Sequence, residues 1–317
     1  MGAPRGLGRS GRREARNRCE RRSLPRHRER VALEARANPL LPALFVVLWS
    51  TGFIAAKYGL PYAPPLKFLL VRFSLVAALM TLVAVATRAR WPAHLREVVH
   101  VAIAAWLVHG VYLGGVFVSI AHGMPAGTSA MLVGLQPIVT VFLARLWLDE
   151  AISARQWLGL LLGLAGVYLV VRHRVALDHD LASLWPIVAA LLGISIGTLY
   201  QKRHAAHVDL RAGAVIQFTA CALLYAPLVA WLEPAPIAWT HEFVFALGWS
   251  VLVLSVGAIN LLYVLLRHGA AADVARLFYL VPPVTALMAW PLFGETLGLF
   301  GVLGMAVAAV GVALVNR

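Results

Sequence analysis

The sequence predicts an all-α integral membrane protein of ten transmembrane helices, arranged as two inverted five-helix repeats. Three observations carry that prediction. The 317-residue chain is 61% hydrophobic and 13% charged, with mean hydropathy +0.78, too little polar surface for a soluble globule. Its apolar residues gather in ten runs near the roughly 20 residues that a spanning helix needs. The chain also superposes on itself at an offset of 145 residues, pairing Gly52 with Gly197, Lys57 with Lys202, Phe73 with Phe218, Ala126 with Ala271, Pro137 with Pro282, Glu150 with Glu295, Gly159 with Gly304 and Gly166 with Gly311. A proline inside a helix costs about 3 kcal/mol and a lysine in an apolar segment is also costly, so their recurrence in register marks a duplicated unit.

The runs of the first copy cover 39–58, 65–87, 98–120, 126–147 and 154–171, and those of the second 182–201, 211–232, 243–266, 271–292 and 297–315. They are about twice as long as a barrel strand and lack its alternation, so each is helical. Two units bound the fold, residues 39–174 and 182–317. Because each holds an odd number of helices, the second enters the membrane from the side opposite the first.

Loop charges set the orientation, since cytoplasmic loops collect Lys and Arg. With both termini cytoplasmic, the inner connections hold Arg88, Arg90, Arg96, Arg155, Lys202, Arg203, Arg211 and Arg267. The outer ones hold only Arg172 and Arg174, followed by Asp178 and Asp180. The expected location is a bacterial inner membrane.

The net charge of +14 is unevenly placed, residues 1–38 carrying twelve Arg and four Glu. This Arg-rich tail has no aromatic residue and lacks the composition to fold. Three readings fit it: it holds anionic headgroups, binds RNA weakly, or comes from a mis-assigned start with Val31 as the alternative. The membrane segments themselves call for a lipid bilayer and no specific nucleic acid. Cys19 and Cys221 imply neither a disulfide framework nor a metal site, and no cofactor is expected. The first apolar run lacks a cleavage pattern and stays in the membrane.

Pro137 and Pro282 lie equally deep in the fourth and ninth runs. Each removes a helical hydrogen bond, freeing the carbonyls of Val133 and Phe278 unless neighbours or water satisfy them. One such proline is a packing kink; two in matching positions point to hinges around a binding site.

Polar groups at membrane depth complete the candidate site. Arg72 in the second run is too deep to snorkel, and a carboxylate or phosphate suits it as partner; a structural ion pair or carbonyl clamp is the alternative. Gln217 holds its place in the second copy. His109, Gln136 and Asn260 either line a polar route or act as interhelical glue. Asp273 and Arg276 share a helix face and satisfy each other, though Arg276 also belongs to the candidate substrate set. Trp49 and Phe53 align with Lys57 as an aromatic wall ending in a cation, or as ordinary packing, while snorkelling explains Lys57 and Lys202. The candidate substrate-binding residues are therefore Trp49, Phe53, Arg72, His109, Gln136, Asn260 and Arg276, and the candidate hinges Pro137 and Pro282. Gly110 with Gly114, Gly159 with Gly163 and Gly193 with Gly197 allow close helix packing, and a homodimer face is a further use of that spacing.

The sequence holds no P-loop, metal-ligand cluster or catalytic triad spacing, which excludes ATP-driven transport and argues against an enzyme. A membrane-embedded enzyme on lipid-linked substrates needs converging acids and histidines, and His109 and His122 are isolated. Inverted topology also places Glu150 and Glu295 on opposite faces, so they form no carboxylate pair.

The run Trp49-Ser50-Thr51-Gly52-Phe53 through Lys57, then Pro65 with Arg72-Phe73, resembles the drug/metabolite transporter superfamily, specifically its EamA-type ten-helix branch. The duplicated segments Ala130, Leu135, Pro137, Glu150, Gln156, Gly159, Gly166 and Ala275, Leu280, Pro282, Glu295, Gly301, Gly304, Gly311 carry the resemblance across residues 40–315. Asp149, Gln136 and Arg276 depart from the usual pattern. The first helix also lacks the carboxylate on which the superfamily's four-helix multidrug members rely. The resemblance implies a secondary transporter working by alternating access. The expected activity is export or facilitated passage of a small organic metabolite, with amino acids or related carboxylates favoured because the deep charges lean positive. The alternatives are a nucleotide-sugar or phosphorylated-metabolite exchanger and a multidrug exporter.

Overall fold

The computed structural model describes residues 40–148, 153–178, 183–258, 261, 265, 277–296 and 298–315. Among these residues every regular element is a helix. Seven stretches are long and apolar enough to cross a membrane: Leu40–Tyr62, Pro65–Ala86, Leu95–Ala121, Ala126–Leu143, Leu184–His204, Leu210–Leu232 and His241–Ala258. Three shorter apolar helices, Ala154–Leu169, Phe278–Phe293 and Leu299–Leu314, accompany them. Each overlaps one of the apolar runs expected from the sequence, several running past the expected ends, and the protein is a multi-pass helical membrane protein. The amino-terminal tail lies outside the described residues.

We number the helices α1 (Leu40–Gly59), α2 (Pro65–Ala86), α3 (Leu95–Ala121), α4 (Ala126–Val133), α5 (Gln136–Leu148), α6 (Ala154–Asp178), α7 (Leu184–His204), α8 (Leu210–Leu232), α9 (His241–Ala258), α10 (Val281–Phe293) and α11 (Leu299–Val315). The core is aromatic, with Phe45, Phe68, Phe73, Phe117 and Phe243 fully buried, while large apolar side chains such as Leu82, Leu223 and Trp231 face outward. An exposed apolar surface of this kind suits hydrocarbon rather than water.

α2 and α8 pack along their length. Phe73 meets Phe218 at 6.1 Å between ring centroids, and Tyr225 stands edge-on to Phe73 at 5.3 Å. At one end, Glu233 accepts the backbone N–H groups of Leu66 (3.0 Å) and Lys67 (2.7 Å), which α2 has no carbonyl to satisfy. At the other end, Asp209 caps α8 by accepting from Arg211 N–H, and Arg211 Nη1 donates to Thr87 O at 3.1 Å. The Arg211 guanidinium and its backbone N–H hold the Asp209 carboxyl well below the usual carboxylate range.

α6 and α11 cross at glycines. A Cβ on Gly166 would come within 2.6 Å of Gly304 O, and one on Gly311 within 2.6 Å of Gly159 O. The other small-residue pairs are also consumed inside the chain: Gly114 faces Tyr225, and Gly193 and Gly197 face Leu107, Val108 and Val111. Their spacing thus serves intramolecular packing.

The fourth expected helix is two helices. α4 ends at Val133, Gly134 and Leu135 turn, and α5 begins at Gln136 with Pro137 as its second residue. α10 starts likewise, after a 3-10 turn at Phe278–Leu280, with Pro282 second. The Phe278 carbonyl expected to be freed there is instead satisfied by the Val281 N–H. Two departures left no mark in the hydropathy: π-helical segments at Trp106–Val111 in α3 and Trp249–Ala258 in α9. A π turn adds a residue and misaligns carbonyls with donors. In α3 the neighbouring α8 covers the loss, Cys221 Sγ donating to Ala105 O (3.4 Å) and Tyr225 OH to Gly110 O (2.8 Å).

Gly166→Leu should lower stability by about 1–3 kcal/mol or more through overpacking, while Gly248→Ala, where an added Cβ meets nothing within 4 Å, should leave it unchanged or raised. Thermal unfolding in detergent measures both. A depressed carboxyl stabilises the fold above its ordinary pKa of about 4, and the contribution declines as pH falls below that value, to be lost through the lower folded pKa. The stability gap between wild type and Asp209→Asn is therefore expected to narrow as pH is lowered from 6 to below about 4.

Candidate substrate site

Arg72 lies about two turns into α2 and is 7% exposed. Its Nη2 donates one long hydrogen bond, 3.3 Å, to Ser255 Oγ, and its Nε has no partner. Among the described residues no carboxylate pairs with it; the ion pairs there are Lys57–Glu295, His207–Glu97 and Arg211–Asp209. A buried cation normally needs a counter-charge, because its desolvation costs several kcal/mol. Arg72 is thus a donor with unused capacity.

The two π segments flank this cation. In α9, Ser255 donates to Ser250 O, five residues back, at 3.0 Å and presents the oxygen that Arg72 bonds. In α3, His109 stands on the π turn, its ring stacked on Phe218 at 4.8 Å and its Nε2 donating to Gln217 Oε1 at 3.3 Å. Tyr112, just beyond that turn, and His109 both interact electrostatically with Arg72. The result is a polar cluster of Arg72, Ser255, Tyr112, His109 and Gln217 beside the Phe73–Phe218 pair. A guanidinium with free donors, a hydroxyl, an imidazole and aromatic rings can receive a planar anion and an adjoining apolar group.

The structure brings Arg72 and His109 together and gives the other expected residues that it describes different surroundings. Trp49 packs between Phe45 (5.3 Å) and Phe278 (5.1 Å), where α1 meets the start of α10. Phe53 is buried in the core. Gln136 donates to Thr198 Oγ1 on α7 at 3.4 Å. Pro137 and Pro282 sit at the helix breaks, and Pro282 lines, with Gly134, Met131, Phe278 and Met305, a small apolar cavity. Asn260, Arg276 and its expected partner Asp273 lie outside the described residues.

Sequence reasoning missed Ser255 and Tyr112, which only the π segments bring to Arg72. It also missed the role of Lys57. Rather than snorkelling, Lys57 Nζ pairs with Glu295 Oε1 and lies 5.3 Å from the Phe293 ring centroid. Glu295 Oε1 accepts in addition from Ala126 N–H at 3.0 Å, at the start of α4. A clue was available in the inverted topology expected from the sequence, which would put the ends of the first and ninth runs on one face of the membrane.

A multi-pass helical bundle with a buried cation that no carboxylate among the described residues pairs, held beside interrupted helices, has the build of a membrane transporter. The model of the EamA-like transporter family matches residues 39–172 and again 181–317, and the chain belongs to that family. It is 28% identical over 286 residues, 88% of this chain and 90% of the relative, to the "Uncharacterized inner membrane transporter YedA" of Escherichia coli (strain K12). It is 26% identical over 280 residues, 86% of this chain and 91% of the relative, to the "Probable terminal-alkyne amino-acid exporter" of Streptantibioticus cattleyicolor. A solved crystal structure shares the fold with TM-score 0.61 at 19% identity, over 87% of this chain and 94% of that one. The protein is a transporter, not an enzyme.

If Arg72 serves a ligand rather than the fold, Arg72→Met should leave thermal unfolding unchanged or raise it, because it removes an uncompensated buried cation. A drop of more than about 4 °C, the size of a loss of 1 kcal/mol or more, would make Arg72 structural.

Proposed function

We propose that this protein is a secondary transporter of a small organic carboxylate, an amino acid or a related metabolite, exporting it or allowing its passage by alternating access around Arg72. One observation carries the reading: a guanidinium at membrane depth with one 3.3 Å hydrogen bond and an unsatisfied Nε. The carboxylate of the substrate supplies the missing partner, bound bidentately in a site of low dielectric. His109, Gln217 and Tyr112 order the polar side of the ligand, and Phe73 and Phe218 its apolar side. The name of the S. cattleyicolor relative, an amino-acid exporter, lends support.

The architecture proposed is ten spans in two inverted repeats. Contacts at the 145-residue offset support it, because an inverted repeat packs equivalent residues across one pseudo-two-fold axis. Phe73 meets its counterpart Phe218. Gly166 approaches Gly304 while Gly311 approaches Gly159, the same contact seen from each side. Both π segments fall in equivalent spans. With both termini cytoplasmic, the chain lies in the inner membrane, the location in YedA's name. Trp49, Phe53 and Gln136 then act from helices that move around the site rather than from its centre. A phosphorylated substrate is less well served, since Lys202 is exposed at the end of α7 and adds no second cation to Arg72.

In liposomes, counterflow of a radiolabelled amino-acid panel tests the function, each hit being repeated with Arg72→Gln and under an imposed pH gradient. We expect saturable uptake that falls at least about a hundredfold on substitution, as for a buried charged pair broken on one side. Uptake of lipophilic cations alone, or amino-acid uptake indifferent to the substitution, would reject the carboxylate site at Arg72. A response to the pH gradient would identify proton coupling.

A further inference from the structure

We propose that Glu295 is a gating residue: its carboxylate ties α1, α4 and the end of α10 into a latch that closes one end of the transport path, and this latch must break for that end to open. The inference rests on the alternating-access reading but not on the identity of the substrate.

One carboxylate oxygen joins two elements to a third. Glu295 Oε1 receives both Lys57 Nζ from the end of α1 and the Ala126 N–H from the first residue of α4. That N–H needs an outside partner, because the residue before α4 is Pro125, which offers no side-chain cap. Lys57 is held a second time by the Phe293 ring of α10. The pair is partly withdrawn from water, with side-chain exposures of 29% for Lys57 and 11% for Glu295, so it is screened less than a surface ion pair.

Two further observations point to a latch rather than a static cap. Behind it stand two hydroxyls with no hydrogen-bond partner, Ser129 on α4 and Thr285 on α10, both fully buried. An unsatisfied hydroxyl is costly in a permanently closed interior but is bonded to water whenever the path between α4 and α10 opens. Two of the helices it joins also have breaks behind them, the Gly134–Leu135 turn below α4 and the 3-10 turn before α10, so these two outer segments have hinges on which to swing. The same residue types recur 145 positions away as Lys202, Glu150 and Ala271, of which Glu150 and Ala271 lie outside the described residues.

The test needs no substrate. Ser129→Cys is placed in a Cys19→Ser, Cys221→Ala chain, reconstituted in nanodiscs and reacted with a water-soluble maleimide. With the latch intact the thiol should label slowly. Glu295→Gln and Lys57→Met should each speed labelling about tenfold or more, the change expected when one of two conformations loses an ion pair that only it makes. Thr285→Cys in the same backgrounds gives a second reporter, and size-exclusion profiles confirm that each variant is folded. Should Glu295→Gln fail to fold, Lys57→Met decides. Labelling unchanged in either folded variant would overturn the latch and would leave the Arg72 reading standing, since counterflow tests that separately.

Discussion

In hydrocarbon a backbone N–H or C=O has no water to turn to, and that constraint organises this molecule. Most of the chain obeys it with uninterrupted helices. Exceptions among the described residues are met by side chains: within α9 Ser255 bonds Ser250, while from neighbouring elements Cys221 and Tyr225 bond the carbonyls of Ala105 and Gly110 at the π segment of α3, and Glu295 bonds the first N–H of α4. A repair of this sort locks two elements together, so helix irregularity becomes tertiary structure. It also moves side chains off the positions that regular helices would give them, and the Arg72 cluster is assembled from such displaced groups.

Arg72 is the one part of the cluster whose electrostatics are left open. Protein interiors tolerate a buried cation when a carboxylate accompanies it, and the described residues around Arg72 offer a serine, a tyrosine, a histidine and a glutamine instead. The energy withheld from the fold is available to a ligand that brings its own negative charge. In the proposed reading a site built this way favours occupancy by an anion over closure around nothing.

Much of the fold was legible because membrane helices advertise themselves by length and composition. The breaks at Gly134–Leu135 and before Val281 were legible too, through Pro137 and Pro282, since a missing N–H is a property of the residue itself. Arg72 and His109 were readable as costly groups at depth. What the sequence concealed was pairing. The π segments have ordinary apolar composition, so nothing foretold that Ser255 and Tyr112 would turn towards Arg72. Lys57 and Glu295 were each visible as repeat landmarks, yet their contact joins residues 238 positions apart and depends on where α10 ends. Trp49 was drawn to the site by its alignment with Phe53 and Lys57, and Gln136 as a polar group at membrane depth, and packing placed them with Phe278 and Thr198.

Under the proposed duplication, chemistry arises where the two copies differ. Arg72 corresponds to Gln217, His109 to Leu254, Tyr112 to Gly257 and Ser255 to Gly110, while Phe73 and Phe218 are the same residue twice. The shared phenylalanines meet at the pseudo-axis, where identical residues can pack on each other without penalty. Identical cations there could not, because two guanidinium groups brought together at low dielectric would repel far more strongly than in water. Replacing one by a glutamine leaves a single positive charge with a neutral hydrogen-bonding companion. In the proposed reading the symmetric unit supplies the rocking framework, and its breaking at positions 72 and 217 suits a ligand with one carboxylate rather than two.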